Sequence, residues 1–375
     1  MKRFPVGILI FLLTVFCPVY AGAAETDTWM DELDFSEISG FLEDTKEAPL
    51  SFEELIEALL NGEGVPYETV GEYIRKLFTG RMEEHKTLVF WLIAVSAAFS
   101  VLKSYAKSFS NSYISEICFF LCYCLMMALL LASFSEMNET VLSTAERMAG
   151  FMKALVPVYC TAISFSLQVN ASAAAYSLIF TAVYLVEWAL RYVLAPLVQI
   201  YVMMEFLNHL TEEERFGKLA EMIADAVRFL LKAAVTFVLG INIIQGMVAP
   251  AMDRLAGNTV AKTIQMVPGL GNVANGMGQI FISSGLMIKN SVGAAALIVL
   301  VILCAVPFLN MALLAALYKC LSAVLEPIAD KRLSGGMNGI AVGGALYLKI
   351  LSTCLMLFFL TIALTAAATG FGMGG

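Results

Sequence analysis

Charged residues are scarce in this chain. Asp, Glu, Lys and Arg make up 14% of its 375 residues and hydrophobic residues 59%, whereas about 25% of a soluble domain is charged. A soluble protein of this size could not cover so much apolar surface, because its exterior needs polar side chains. Runs of about 20 apolar residues, enough to cross the hydrocarbon of a bilayer, recur along the chain. The composition predicts an all-α, polytopic integral membrane protein.

Motifs for catalysis and ligand binding are also missing. The chain has two histidines, no H-E-x-x-H and no paired C-x-x-C motifs, which argues against a zinc site. It has neither a P-loop nor a G-x-S-x-G nucleophile motif. No basic patch indicates a nucleic-acid partner. We therefore expect no enzymatic activity, no metal and no cofactor.

The N-terminus has the layout of a secretory signal peptide. Met1–Arg3 is positively charged, Val6–Phe16 is apolar, and Ala21-Gly22-Ala23 offers small residues for cleavage. We assign residues 1–23 to a signal peptide, with an uncleaved first membrane helix as the alternative. A signal peptide would place the following residues outside the cytoplasm.

Residues 24–86 form an acidic segment. Residues 25–84 contain 17 of the 31 acidic residues of the chain but only four of its 23 basic residues. Ser51 and Glu54 make a capping box, and apolar residues then follow at helical spacing. The segment is predicted to be a short extracytoplasmic helical unit that packs on the membrane surface or on a partner.

Residues 87–369 are predicted to form a membrane domain of about seven or eight spans. Its apolar stretches cover residues 87–102, 116–135, 154–169, 171–190, 192–209, 229–249, 291–325 and 345–369. The stretch 291–325 is too long for one crossing, and Pro307 and Asn310 could kink it or break it into two half-crossings.

Two charged residues stand at the boundary between the stretches 171–190 and 192–209. Glu187 and Arg191 are four residues apart, so they share a helix face and are predicted to pair with each other. Charges inside a membrane segment are costly and often functional. The pair is either part of a proton or ion pathway or a structural ion pair.

Residues 250–290 form an unusual amphipathic insert. Asn258, Gln265, Asn272 and Gln279 recur every seven residues, and Asn275 lies on nearly the same side. Pro268-Gly269 should bend the backbone, which predicts two short helices. The amide-bearing face could line an aqueous passage or bind a partner. It could also be the wet face of a hairpin that lies on the membrane.

Glycines recur every four residues near the start of the last span. Gly335, Gly339 and Gly343 form a ridge of small residues, with Gly336 and Gly344 beside it. Such ridges let membrane helices approach closely. We predict helix packing at this ridge, within the chain or between copies, and the alternative is a flexible glycine loop.

Several short motifs resemble the stage III sporulation protein AE family over roughly residues 85–365. They are Gln245–Pro250, Val267–Asn272, Ile288–Gly293, Leu317-Tyr318-Lys319 and Glu326–Arg332, with Tyr192, Pro196 and Leu210-Thr211-Glu212 upstream. The N-terminal part resembles the family only in layout, with a signal, an acidic segment and a membrane body.

The resemblance implies a role in endospore formation. The family resembles membrane subunits of a complex that links the mother cell to the engulfed forespore, acts as a channel or feeding apparatus, and is needed for late forespore gene expression. It implies other membrane subunits as partners, including a separate ATPase, and a place in the mother-cell membrane around the forespore. The alternatives are an autonomous secondary transporter for a small solute and a passive membrane scaffold.

Overall fold

The described part of the chain is almost entirely helical. The computed structural model describes residues 112–164, 169–210, 215–265, 271–326 and 331–368, with further residues scattered between 35 and 101. Within the helices, the side chains of residues 242–287 lie outside the description. No strand occurs in the described residues, so the all-α prediction is confirmed there. The predicted signal peptide, residues 1–23, lies outside them.

Six long helices follow one another with short connections. They are α1 Ser112–Ser164, α2 Val169–Ala189, α3 Ala195–Leu210, α4 Gly217–Gln265, α5 Gly271–Leu325 and α6 Lys331–Ala368. Hydroxyl side chains inside the helices bond to the carbonyl four residues earlier, as Thr144 does with Thr140 and Thr361 with Leu357. Such a bond within the same helix gives the hydroxyl hydrogen an acceptor in apolar surroundings.

A π-helical turn, Leu190–Leu194, joins α2 to α3. The backbone N–H of Ala195 donates to the carbonyl of Leu190, five residues earlier. Pro196 follows at once, and a proline has no N–H to give to the carbonyl four residues before it. The wider turn therefore carries the helix past Pro196 without ending it.

Helix α6 occupies the centre of the bundle. It packs against α1, α2, α3, α4 and α5. Its side chains Met337, Ile340, Tyr347, Ile350 and Leu351 are all fully buried. The glycine-rich first half of α6 is therefore surrounded by protein.

Helices α1, α4 and α6 run in one direction, and α5 and the continuous run from α2 to α3 run in the other. At one end, the N–H of Phe216, just before α4, donates to Asn208 near the end of α3. The start of α6 lies at the same end, because Gly335 faces His209 of α3. Near the other end of α1, the Tyr159 hydroxyl faces the carbonyl of Ile362 in α6. The α3–α4 and α5–α6 connections thus share one end of the bundle.

The described residues include four helical stretches long and apolar enough to cross a membrane. They are Phe120–Ser164, Ile179–Leu210, Asn290–Leu325 and Lys331–Ala363, with a shorter apolar helix at Val89–Ala98. The apolar stretches 116–135 and 154–169, separate in the sequence, belong largely to the single helix α1. Likewise, 171–190 and 192–209 lie on the continuous run from α2 to α3.

Several helices are longer than a bilayer is thick. Helix α1 has 53 residues and α5 has 55, so each is about 80 Å long at about 1.5 Å per residue. The hydrocarbon core measures about 30 Å. Parts of these helices therefore extend beyond the hydrocarbon unless they tilt strongly.

The sequence-based reading of two proline-containing regions needs correction. Helix α5 is continuous through Pro307, so the break into two half-crossings is not found. Helices α1 and α6 both pack against α5, and neighbouring helices allow a membrane helix to continue through a proline. In the region 250–290, one helix ends at Gln265 and the next begins at Gly271. These are the ends of the long helices α4 and α5, not two short separate helices, because the apolar pattern continues into both.

Large apolar side chains cover much of the outer surface. Examples are Leu121, Phe229 and Phe237, which are all more than half exposed. A soluble monomer rarely leaves such patches open to water. Together with the four candidate spans, this surface shows a protein that resides in a membrane.

Part of the acidic N-terminal segment contacts the bundle. Phe52 and Ile56, both in the predicted helix after Ser51, are buried. The Phe52 ring lies 6.4 Å from the ring of Phe151 in α1 and 5.8 Å from the ring of Phe35. These apolar positions therefore attach the segment to α1. Its extracytoplasmic location remains a prediction.

Candidate functional site

The glycine ridge of α6 lies directly against α3. A Cβ atom added at Gly335 would stand 2.5 Å from His209, one at Gly339 2.9 Å from Glu205, and one at Gly343 2.6 Å from Val202. These distances are shorter than any real side chain tolerates. At Gly339 and Gly343 the nearest atoms lie close to the backbone of α3, so a methyl group would force the two helices apart. At Gly335 the nearest atoms belong to the His209 ring. The ridge thus packs within the chain.

Two polar side chains of α3 stand beside this ridge. His209 Nε2 lies 3.4 Å from Glu205 Oε2, and both side chains are less than one-fifth exposed. Tyr201, one turn before Glu205, lies on the same side of α3. The close glycine contact therefore brings the backbone of α6 next to a partly buried acid and imidazole.

Buried tyrosines tie the helices together. The Tyr123 hydroxyl donates to the Phe206 carbonyl at 2.7 Å, and the Tyr347 hydroxyl donates to Asn138 Oδ1 at 2.7 Å. The Tyr318 hydroxyl donates to Ser133 Oγ. Each bond joins α1 to another helix, α3, α6 or α5. A buried hydroxyl needs such a partner, so these bonds fix how the helices sit along α1.

Glu187 and Arg191 take partners other than each other. Glu187 Oε2 lies 2.9 Å from Lys153 Nζ, and Arg191 Nη2 lies 2.5 Å from Glu146 Oε1. Both partners are on α1. The predicted pairing within α2 is corrected to two pairs between antiparallel helices. The physical reason is that α1 presents an opposite charge across from each residue, at hydrogen-bond distance.

A row of exposed aromatic rings runs along α2 and into the π-helical turn, beside these ion pairs. Phe180, Tyr184, Trp188 and Tyr192 are spaced four residues apart and are 39%, 55%, 56% and 67% exposed. Lys153 Nζ lies 5.3 Å from the centre of the Tyr184 ring, close enough for a cation–π contact. Phe180, Tyr184 and Trp188 line a shallow groove with Thr181 and Leu185.

The amide residues of the insert are divided between two helices. Asn258 and Gln265 belong to the end of α4, and Asn272, Asn275 and Gln279 to the start of α5. Their side chains lie outside the description, so the proposed passage or partner face remains a prediction. Among the described residues, no group of three His, Cys, Asp or Glu side chains could hold a metal ion.

The sequence was compared with protein-family models, curated proteins and solved structures. The family model described as stage III sporulation protein AE matches residues 50–369. The chain belongs to the stage III sporulation protein AE family. It is 23% identical over 240 residues to the stage III sporulation protein AE of Bacillus subtilis (strain 168), covering 64% of this chain. The match spans about 60% of the length of that relative. No solved structure matches the chain.

Membership of the stage III sporulation protein AE family confirms the resemblance seen in the motifs and supports a role in sporulation. Two features of this family member were missed in the sequence. The first is the aromatic row, which the sequence signals by four aromatic residues spaced four apart. The second is the pair of partners Glu146 and Lys153, which the sequence does not signal, because nothing local indicates which part of α1 lies beside α2.

Proposed function

We propose that this protein is a membrane subunit of the sporulation complex that connects the mother cell with the forespore and is needed for late forespore gene expression. The observation that carries the proposal is the family match over residues 50–369. The all-helical bundle with four candidate spans suits a subunit that is built into a membrane.

In this proposal the chain is not an enzyme and needs no cofactor. A separate ATPase subunit supplies energy, and other membrane subunits and the lipid bilayer are the remaining partners. The protein lies in the mother-cell membrane around the forespore, with its acidic segment outside the mother-cell cytoplasm.

Substitutions at the amide positions, at the end of α4 and the start of α5, test whether they line an aqueous passage. Asn258, Gln265, Asn272 and Gln279 are replaced together by Leu in the native spore-former, and membrane insertion, late forespore reporter expression and spore yield are measured. We expect normal insertion with a strong loss of reporter expression and spores. In the matched control, Asn and Gln are exchanged at the same positions, which keeps every amide, and sporulation should be largely retained.

Two other results would point elsewhere. Normal sporulation of the Leu variant would remove the passage and favour a scaffold that only anchors other subunits. Solute uptake by the purified protein alone in liposomes would favour an autonomous transporter, because a subunit of a larger complex should not act without its partners.

A further inference from the structure

The exposed side of the α1–α2 pair combines aromatic rings with two ion pairs. We call it the α1–α2 face, formed by Phe180, Tyr184, Trp188 and Tyr192 together with the pairs Glu146–Arg191 and Lys153–Glu187. Glu187 follows Tyr184 by three residues, and Arg191 follows Trp188 by three. Residues three and four apart lie on the same side of a helix, so rings and charges share one face.

Lipid alone explains this face poorly. Aromatic belts of membrane proteins are confined to the two membrane–water interfaces, but this row extends over 12 residues of helix, about 18 Å. The ion pairs lie inside the candidate spans Phe120–Ser164 and Ile179–Leu210. The side chains of Arg191 and Glu146 are 45% and 52% exposed. Charged groups within membrane segments normally face protein or water, not lipid.

The face also borders an apolar part of the bundle. Along α1, Glu146 and Lys153 lie between Asn138, which bonds Tyr347 of α6, and Tyr159, which contacts Ile362. Of the α6 residues between those contacts, only Lys349 is charged, and it lies two residues after Tyr347; residues 350–361 carry no charge. At the height of the two ion pairs, α6 therefore presents no charge.

The signs of the charges suggest what covers the face. At the height of each ion pair, α1 supplies one sign and α2 the other: Glu146 opposite Arg191, then Lys153 opposite Glu187. A two-fold axis parallel to the helices places α1 of one copy opposite α2 of the next at the same height. Each acid then meets a base of the other copy, and aromatic rows flank both sides.

From this self-complementary pattern we propose that the α1–α2 face binds a second copy of this chain in an isologous dimer. The ion pairs within each chain become two four-charge clusters between the chains. The rings of the shallow groove become buried, as aromatic side chains in protein interfaces commonly are.

Cross-linking in the native membrane tests where two copies meet. In a full-length chain whose eight native cysteines are replaced by serine or alanine, Trp188→Cys is compared with Phe237→Cys. Both positions are 56% exposed, and Phe237 is on α4, which is not part of the α1–α2 face. We expect a cross-linked dimer from Trp188→Cys and little from Phe237→Cys. Equal yields from the two positions, or none from Trp188→Cys, would overturn the proposal.

Charge exchange between copies tests the partner. Lys153→Glu alone and Glu187→Lys alone place like charges together in a homodimer, so each should lose most of its cross-linked dimer. Co-expression of the two variants with different tags should restore a mixed dimer, because each altered charge then meets its opposite. If neither single variant reduces cross-linking, or if the mixed dimer does not form, the second copy is not the partner.

A chain carrying both Lys153→Glu and Glu187→Lys controls for folding. It keeps one acid and one base at the same height, with the signs exchanged, and should cross-link as strongly as the starting chain. Failure of this double variant to dimerise while it still inserts into the membrane would contradict the charge pairing. Sporulation is not the readout, so the result is independent of the proposed role in the complex.

Discussion

Gly343 of α6 lies so close to Val202 of α3 that a Cβ on the glycine would stand 2.6 Å from Val202 Cγ2. The same atom would come within 3.1 Å of Phe134 Cε2 in α1. Three helices therefore meet at a position with no room for a methyl group. Helix α6 contacts all the other long helices. A side chain at position 343 would push α6 away from α3 and α1 and would disturb those contacts.

The Gly343 contact predicts a specific rescue. Gly343→Ala should destabilise the protein by about 1–3 kcal/mol, as overpacking of a filled core does. Adding Val202→Ala removes the clashing methyl group, so the double variant should recover much of the loss. The measurement is the thermal unfolding midpoint of the purified protein in detergent.

Gly240 provides the matched control for Gly343. It lies in helix α4, and a Cβ there would meet no atom within 4 Å. Gly240→Ala should leave the midpoint unchanged or raise it, since alanine favours helices by about 1 kcal/mol. If Gly343→Ala is as harmless as Gly240→Ala, α3 and α6 do not pack as described.

The ion pairs between α1 and α2 predict which charge exchange is tolerated. Arg191→Glu places a second acid beside Glu146 and should lower the thermal unfolding midpoint. Adding Glu146→Arg should restore it. Exchanging Glu187 and Arg191 within α2 gives a different result, because each new charge then faces its own sign on α1. Recovery in that second exchange would instead support pairing inside α2.

The hydrogen bond between Tyr347 and Asn138 predicts a loss on removal of one hydroxyl. Tyr347→Phe keeps the ring stacked on Phe134, whose centre lies 5.2 Å away. It leaves Asn138 Oδ1 without its donor, and we expect a destabilisation of about 1–3 kcal/mol. Tyr184→Phe is the control, since Tyr184 is 55% exposed and should show no change. A midpoint equal to that of the control would show that the bond contributes nothing.

The sequence revealed the fold class and the glycine positions for clear physical reasons. Helix length, apolar content and the spacing of Gly335, Gly339 and Gly343 are local properties that a single chain displays. The partner of the ridge is not local: α3, which contains Val202 and Glu205, is more than 100 residues earlier in the chain. For the same reason, Glu187 was paired with the charge nearest in sequence and not with Lys153.

In the sequence, the apolar stretches 116–135 and 154–169 are separated by a charged interval that contains Glu136, Glu139 and Glu146. In the structure the helix continues through it, because those side chains lie on the exposed side while Met137, Val141 and Met148 stay buried. A polar interval can therefore be one face of a continuous helix.

Asn208 predicts a local effect at the start of α4. Its Oδ1 accepts the Phe216 N–H at 2.9 Å, and the side chain is 4% exposed. Asn208→Ala leaves that N–H without its acceptor, which should cost about 1 kcal/mol, as loss of a helix cap does. Hydrogen exchange of the Phe216, Leu219 and Ala220 amides should accelerate severalfold, while amides in the middle of α6 should not change.

Asn208→Asp separates loss of the acceptor from loss of the side chain. The carboxylate keeps an oxygen near the Phe216 N–H, and a negative charge near the start of a helix is favourable. Exchange at these three amides should therefore stay close to that of the unaltered protein. If Asn208→Ala and Asn208→Asp accelerate exchange equally, the amide matters for packing against Gly217, which its Nδ2 approaches, and not as the acceptor that orients α4 on α3.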